Sequence, residues 1–126
     1  MKASLGLVLL ALAAPVVAKP AAPDPGAKVY EEVCQACHMA NARGAEGAGR
    51  ITGLAGDPNL ESADYPIAVV TGGKGAMPWF RGQLTDEQIA DVINYVRSHY
   101  GNRYRDRITA ADVKERGIPA PARGER

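Results

Sequence analysis

Apolar residues recur at helical spacing in several stretches of this chain, and nowhere do they alternate with polar ones long enough to make a strand. From Ala27 to Cys37, Val29, Val33 and Ala36 fall at i, i+4 and i+7 with Tyr30 beside them, which predicts a first helix with one apolar face. Ser62 to Val70 predicts a short second helix, with Ser62 as its N-cap and Pro66 near the edge of what a helix start tolerates. The clearest helix opens at Thr85. Thr85-x-x-Gln88 is a capping box, Asp86 and Glu87 suit the positive end of a helix, and Ile89, Val92, Ile93 and Val96 form an apolar stripe that Gly101 terminates. A last short helix is expected from Thr109, with Asp112 as capping partner and Val113 turned inward. The pattern predicts an all-α fold.

The segments between and before these helices are equally uneven. Asn41 to Gly56 holds five glycines and cannot be a long helix or a packed strand; such a loop is either without order or laid closely over something flat. Lys19 to Pro25 holds three prolines and is expected to be a flexible leader. Before it, Met1-Lys2 is a short positive start, Leu5 to Ala14 is almost wholly apolar, and Val16-Val17-Ala18 offers small residues to a signal peptidase. The alternative to a cleaved secretory signal is a membrane anchor. Ala3 to Ala18 contains Pro15 and is shorter than the ~20 residues a bilayer span needs. The expectation is therefore export with cleavage after Ala18, and no stable membrane insertion afterwards. The layout is 1–18 signal peptide, 19–25 leader, 26–102 folded domain and 103–126 C-terminal extension.

At 126 residues there is room for one small domain, and with aromatics at only 6% it needs help from a disulfide, metal or cofactor. Charge is split: seven basic against ten acidic residues from Lys19 to Tyr100, then seven against four from Gly101 onward. Neither part carries the concentrated basic stripe of a nucleic-acid binder, and none is expected as partner. The two cysteines, Cys34 and Cys37, stand too close together to constrain much of the unfolded chain, so their purpose is chemical.

Cys34-Gln35-Ala36-Cys37-His38 is C-x-x-C-H, the attachment signature of c-type haem. Cysteines three apart lie on one side of a helical turn, where their thiols reach the two vinyl groups of one haem, and the next residue places its imidazole beneath the ring. A redox dithiol would call for a βαβ context, and a structural zinc site for a fourth ligand. For the opposite axial position, Met39 adjoins His38 and cannot reach. Met77 follows 39 residues after His38 in Gly73-Lys74-Gly75-Ala76-Met77-Pro78, where glycines permit close approach and Pro78 restricts the backbone. Met77 as a core gap-filler is the plainer alternative. His99 is the rival ligand, expected to be exposed. An iron with an open position would instead bind gases or react with peroxide.

These motifs, with Gly75-Ala76-Met77-Pro78-Trp79-Phe80 and the helix from Leu84 through Tyr95-Val96, resemble a class I c-type cytochrome over roughly Gly26 to Asn102. The resemblance implies three to five helices wrapped around one covalently bound haem c, with His38 and Met77 on the iron. It places Gly26, Tyr30, Tyr95 and Val96 where the first and last helices cross. The family often has a proline whose carbonyl orients the haem histidine; here Thr52 stands in that place, and its carbonyl is the expected acceptor from His38. Leu54, Leu60, Ile67, Val70, Trp79 and Leu84 are candidates for the apolar wall, with Trp79 alternatively a propionate donor. The implied function is one-electron transfer and not catalysis. The chain is also similar to small cytochrome subunits of periplasmic dehydrogenases, which implies a donor dehydrogenase and a respiratory acceptor as partners. The extension, with three arginines between Arg103 and Arg107, is expected to be either a solvated tail or a docking arm.

Overall fold

The computed structural model describes residues 13–122. The apolar part of the expected signal lies largely outside them, and Ala13 to Pro23 is exposed and in neither helix nor strand. The first helix starts before its apolar face does. Asp24 Oδ1 accepts from the Gly26 and Ala27 amides at 2.8 and 3.4 Å, and Pro25 supplies a preset φ at the first helical position. Asp24 and Pro25 thus leave the leader and begin α1 (Pro25–Val29).

α1 runs directly into a π-helical turn, Tyr30–Cys34, and on into α2, Gln35–His38. The Gln35 amide bonds to the Tyr30 carbonyl, one residue beyond the α-helical partner. One extra residue turns everything after it by about 100°. The expected face is therefore broken: Val29 is buried, Val33 half-buried and Ala36 exposed. Periodicity missed this, because it assumes an unbroken 3.6-residue repeat.

In the glycine-rich segment a two-residue ladder pairs β1 (Ala45–Glu46) antiparallel with β2 (Arg50–Ile51), a small addition to an otherwise helical fold. Pro58–Leu60 forms a 3-10 turn. α3 spans Asp64–Gly72, two residues later than expected, with Ala63 at its N-cap position and Ser62 Oγ accepting only from the Asp64 amide at 3.3 Å. Pro66 is its third residue, where an amide proton would have no helical partner anyway. α4 (Asp86–Ser98) carries the complete Thr85–Gln88 capping box, and α5 (Ala110–Arg116) the Thr109–Asp112 one.

Two apolar clusters make the core. Val29, Tyr30, Leu60, Val92 and Val96 join α1 to one face of α4. Ile67, Ile89, Ile93, Ile108 and Val113 join α3, α4 and α5 on the other. Leu84 packs against both. Where α1 crosses α4, a Cβ on Gly26 would strike the Asp91 carbonyl and lie 2.6 Å from Tyr95 Cβ, so the two backbones touch at a residue without a side chain.

The segment after Gly101 is bound to the domain as far as Ile118. The Asn94 amide exchanges two hydrogen bonds with the Ile108 backbone, at 2.8 and 2.9 Å. Arg97, 1% exposed, donates to the carbonyls of Leu60, Glu61 and Asp106 and to the Asp106 carboxylate. Asn102 bridges the Leu54 and Val96 carbonyls and the Asp57 amide. Val113 is fully buried. Residues 103–118 are not a solvated tail: they cover a second face of α4, which is why Asn94 and Arg97 are buried there.

Candidate haem site

Cys34 closes the π turn, and Cys37 and His38 lie on the single turn of α2, so the three residues of the signature share one continuous helix. Cys34 is half-buried and Cys37 exposed, and the two are not joined as a disulfide. Burial, assisted by the neighbouring Cys37, pushes the Cys34 thiol up to about 11. A dithiol exchange centre needs a depressed thiol pKa, and burial moves Cys34 the other way.

The helix ends at once after His38. Met39 takes φ 68° and ψ 162°, a conformation normally left to glycine. It is held by the buried Tyr30 hydroxyl, which donates to the Met39 carbonyl at 2.7 Å. The chain then doubles back so that Gly44 donates to the His38 carbonyl at 3.1 Å. Gly44, at φ +68°, lies against Thr52 and Gly53; any Cβ there would collide with the Ile51 carbonyl. This close approach brings the Thr52 carbonyl to the His38 ring, where it accepts from Nδ1 at 2.9 Å. The expected role of position 52 is met by a threonine as well as by a proline, since the acceptor is a backbone carbonyl. With the proton on Nδ1, Nε2 keeps its lone pair for a metal.

Met77 lies on a separate segment, the loop between α3 and α4. Its backbone is pinned by reciprocal bonds with Lys74, both 3.0 Å. Gly73, at φ +74°, lets the loop close, since a Cβ there would stand 2.8 Å from the Met77 carbonyl and 2.9 Å from the Trp79 amide. The Met77 side chain is half-buried and belongs to neither core cluster, unlike a core gap-filler. His99, the rival ligand, is exposed; its Nδ1 faces the Tyr95 carbonyl at 2.8 Å and its ring stacks on Tyr95 at 4.1 Å.

The candidate wall divides. Leu60 and Ile67 are spent inside the core. Leu54, Val70, Trp79 and Leu84 remain half-buried and keep apolar surface for a flat cofactor. A histidine of fixed tautomer, a thioether, two helix-borne thiols and half-buried apolar side chains together suit haem c. Among the described residues no three His, Cys, Asp or Glu side chains gather into a metal-binding group, as zinc would require. Sequence reasoning missed Arg81 and Arg97, whose side chains tie loops to the extension; charged residues beside an apolar stripe gave only the signal of a solvated face.

Comparison with known proteins agrees with this chemistry. Residues 21–96 match the family described as cytochrome c oxidase, cbb3-type, subunit III. The gluconate 2-dehydrogenase cytochrome c subunit of Pantoea cypripedii is 37% identical over 102 residues, 70% of this chain and 23% of that protein. The alcohol dehydrogenase (quinone) cytochrome c subunit of Gluconacetobacter polyoxogenes is 32% identical over 116 residues, 79% of this chain and 24% of that protein. The chain thus spans about a quarter of the length of these subunits. Cytochrome c6 of Leptolyngbya boryana is 40% identical over 72 residues, 56% of this chain and 85% of that protein. With more than half its length matched to the family and a helical fold of the expected kind, the chain belongs to the class I c-type cytochromes, the electron carriers of which cytochrome c6 and these dehydrogenase subunits are relatives.

Proposed function

We propose that this protein is an exported, periplasmic one-electron carrier with a single haem c, bonded through Cys34 and Cys37 and ligated by His38 and Met77. It would accept electrons from a dehydrogenase and pass them to a respiratory chain. The observation that supports the assignment is the Nδ1 hydrogen bond from His38 to the Thr52 carbonyl, which leaves the Nε2 lone pair free for a metal. When bound, haem c supplies a single iron that gains and loses one electron.

The chain's residues do the rest. Each cysteine thiol would add across one vinyl group, its sulfur bonding to carbon and its hydrogen passing to the neighbouring carbon. A soft thioether at Met77 favours the ferrous state more than a second imidazole would. Leu54, Val70, Trp79 and Leu84, all half-buried, would exclude water from a haem held beside the core, and so would disfavour the extra charge of the ferric state. With His38 and Met77 both holding the iron, no place would be left for substrate, which supports a carrier rather than an enzyme. The apolar N-terminal stretch supports export, and the printed names of the dehydrogenase subunits support a donor of that kind. No helix among the described residues is long and apolar enough to cross a membrane.

The test is an optical spectrum of the ferric and ferrous protein, expressed with its own leader and a haem-attachment system. Low-spin haem with the weak red charge-transfer band of a methionine–ferric bond is expected in wild type, and loss of that band in Met77→Ala. A high-spin wild type without the band would overturn the ligation and move the protein to gas or peroxide chemistry.

A further inference from the structure

The loop that presents Met77 is fixed at both feet by the C-terminal extension. At its entry, where α3 ends, the Ile118 amide donates to Thr71 Oγ1 at 2.8 Å, and the Ile118 side chain lies where a Cβ on Gly72 would fall, 2.9 Å from it. At its exit, Arg81 sends its guanidinium into the same short segment, Val113 to Ile118. Nη1 donates to the Val113 and Ile118 carbonyls at 3.2 and 3.3 Å, and Nη2 to the Lys114 carbonyl at 3.2 Å. Val113 and Lys114 belong to the last turn of α5, whose carbonyls carry the negative end of the helix, so a cation is suited there. Asp86, 3.5 Å from Nη2, holds the guanidinium from the α4 side. A side chain at Gly117 would collide with Arg81 Nη1, so the extension is shaped to admit this group.

Between these feet the loop is held by the Lys74–Met77 pair, the Phe80 amide on the Val70 carbonyl at 2.9 Å, and the Gln83 and Leu84 amides on the Phe80 carbonyl. Two exposed side-chain bonds add to these, Gln83 Nε2 to the Trp79 carbonyl at 2.5 Å and Lys74 Nζ to the Tyr65 hydroxyl at 3.2 Å. Glycines at 73 and 75 leave the backbone soft. A thioether is a weak axial ligand, and its hold on iron depends on how seldom the loop opens.

We propose that Arg81 is a positioning residue for Met77, through which the C-terminal extension clamps the ligand loop and sets how readily the thioether leaves the iron. The inference rests on Met77 being the ligand, and the experiment separates the two. Imidazole is mixed with the full-length ferric haem protein, and loss of the red methionine band is followed in time. Arg81→Ala is expected to lose the band roughly tenfold faster than wild type at the same imidazole concentration, because opening then breaks fewer charge-assisted bonds. Arg81→Lys, which keeps the charge but not the fork, should fall between. Gly26→Ala, which strains the distant α1–α4 crossing, should bind imidazole at the wild-type rate and controls for general loss of stability. Band present in wild type with an unchanged rate in Arg81→Ala overturns the clamp and spares the ligand. Equal acceleration in Arg81→Ala and Gly26→Ala overturns it as well, by reducing it to global stability. A wild type without the band overturns both.

Discussion

Gly26→Ala asks whether the crossing of α1 and α4 is limited by a single missing methyl group. In an open helix position alanine would be favourable by ~1 kcal/mol, from helix propensity and a less flexible unfolded chain. Here the new Cβ would meet the Asp91 carbonyl carbon at 2.7 Å and Tyr95 Cβ at 2.6 Å, with the carbonyl oxygen nearer still. These are backbone and stem atoms, with no rotamer to swing away. The helices must part by ~1 Å, loosening the Val29–Val92–Val96 cluster and the Tyr30 contacts with Tyr95 and Tyr100 at 6.0 and 5.2 Å. Overpacking of this kind costs ~1–3 kcal/mol, and immovable backbone puts it at the upper end. Set against the propensity gain, the net expectation is about 2 kcal/mol of destabilisation. The assay is urea denaturation of the haem-loaded protein followed by far-UV circular dichroism, with wild type alongside. Tyr95→Ala should not rescue the variant, because the Asp91 carbonyl remains. A midpoint for Gly26→Ala at or above wild type would refute the account of the crossing.

Three further outcomes are expected. Arg97→Ala should cost about 3–5 kcal/mol, because the Leu60, Glu61 and Asp106 carbonyls lose the donor they share; a urea midpoint within experimental scatter of wild type would contradict this. Met39→Gly should stabilise by about 1 kcal/mol, since relief at φ 68° outweighs the extra freedom of the unfolded chain, and a lowered midpoint would show that the turn is not strained. Tyr30 is raised from 10.0 to about 12, chiefly by burial, so its neutral form is the one the fold favours. Its contribution is complete below pH ~10 and is lost as pH rises through 12. Stability measured between pH 9 and pH 12 should therefore fall less steeply in Tyr30→Phe, and equal slopes would exclude the buried phenol as a source; Tyr100, also raised by burial, leaves part of the slope in place.

Much of the site was legible because its chemistry is local. Cys34, Cys37 and His38 fall within one helical turn, so their spacing alone brings them together. The capping boxes at Thr85 and Thr109 are likewise contained in four residues each and form as expected. Gly26 and Thr52 could be assigned only through family resemblance, since their partners, Asp91 with Tyr95 and His38, lie far off in the chain. The π turn at Tyr30–Cys34 escaped notice because no residue type announces it, and with it went the prediction that Ala36 faces inward.

The sequence by itself determined the capped helices α4 and α5, the haem signature and the loop that carries Met77, because these depend on neighbours along the chain and on side-chain chemistry. The tertiary structure decided which polar groups are inside. Asn94 and Arg97 have the composition of a solvated face, yet residues 103–118 return over them, and a buried donor must then find its acceptors on that returning backbone. Arg81 and Arg116 reach partners tens of residues away, the carbonyls of Val113, Lys114 and Ile118 and the carboxylate of Asp64. Such pairings depend on the path of the chain in space, which one-dimensional periodicity does not contain.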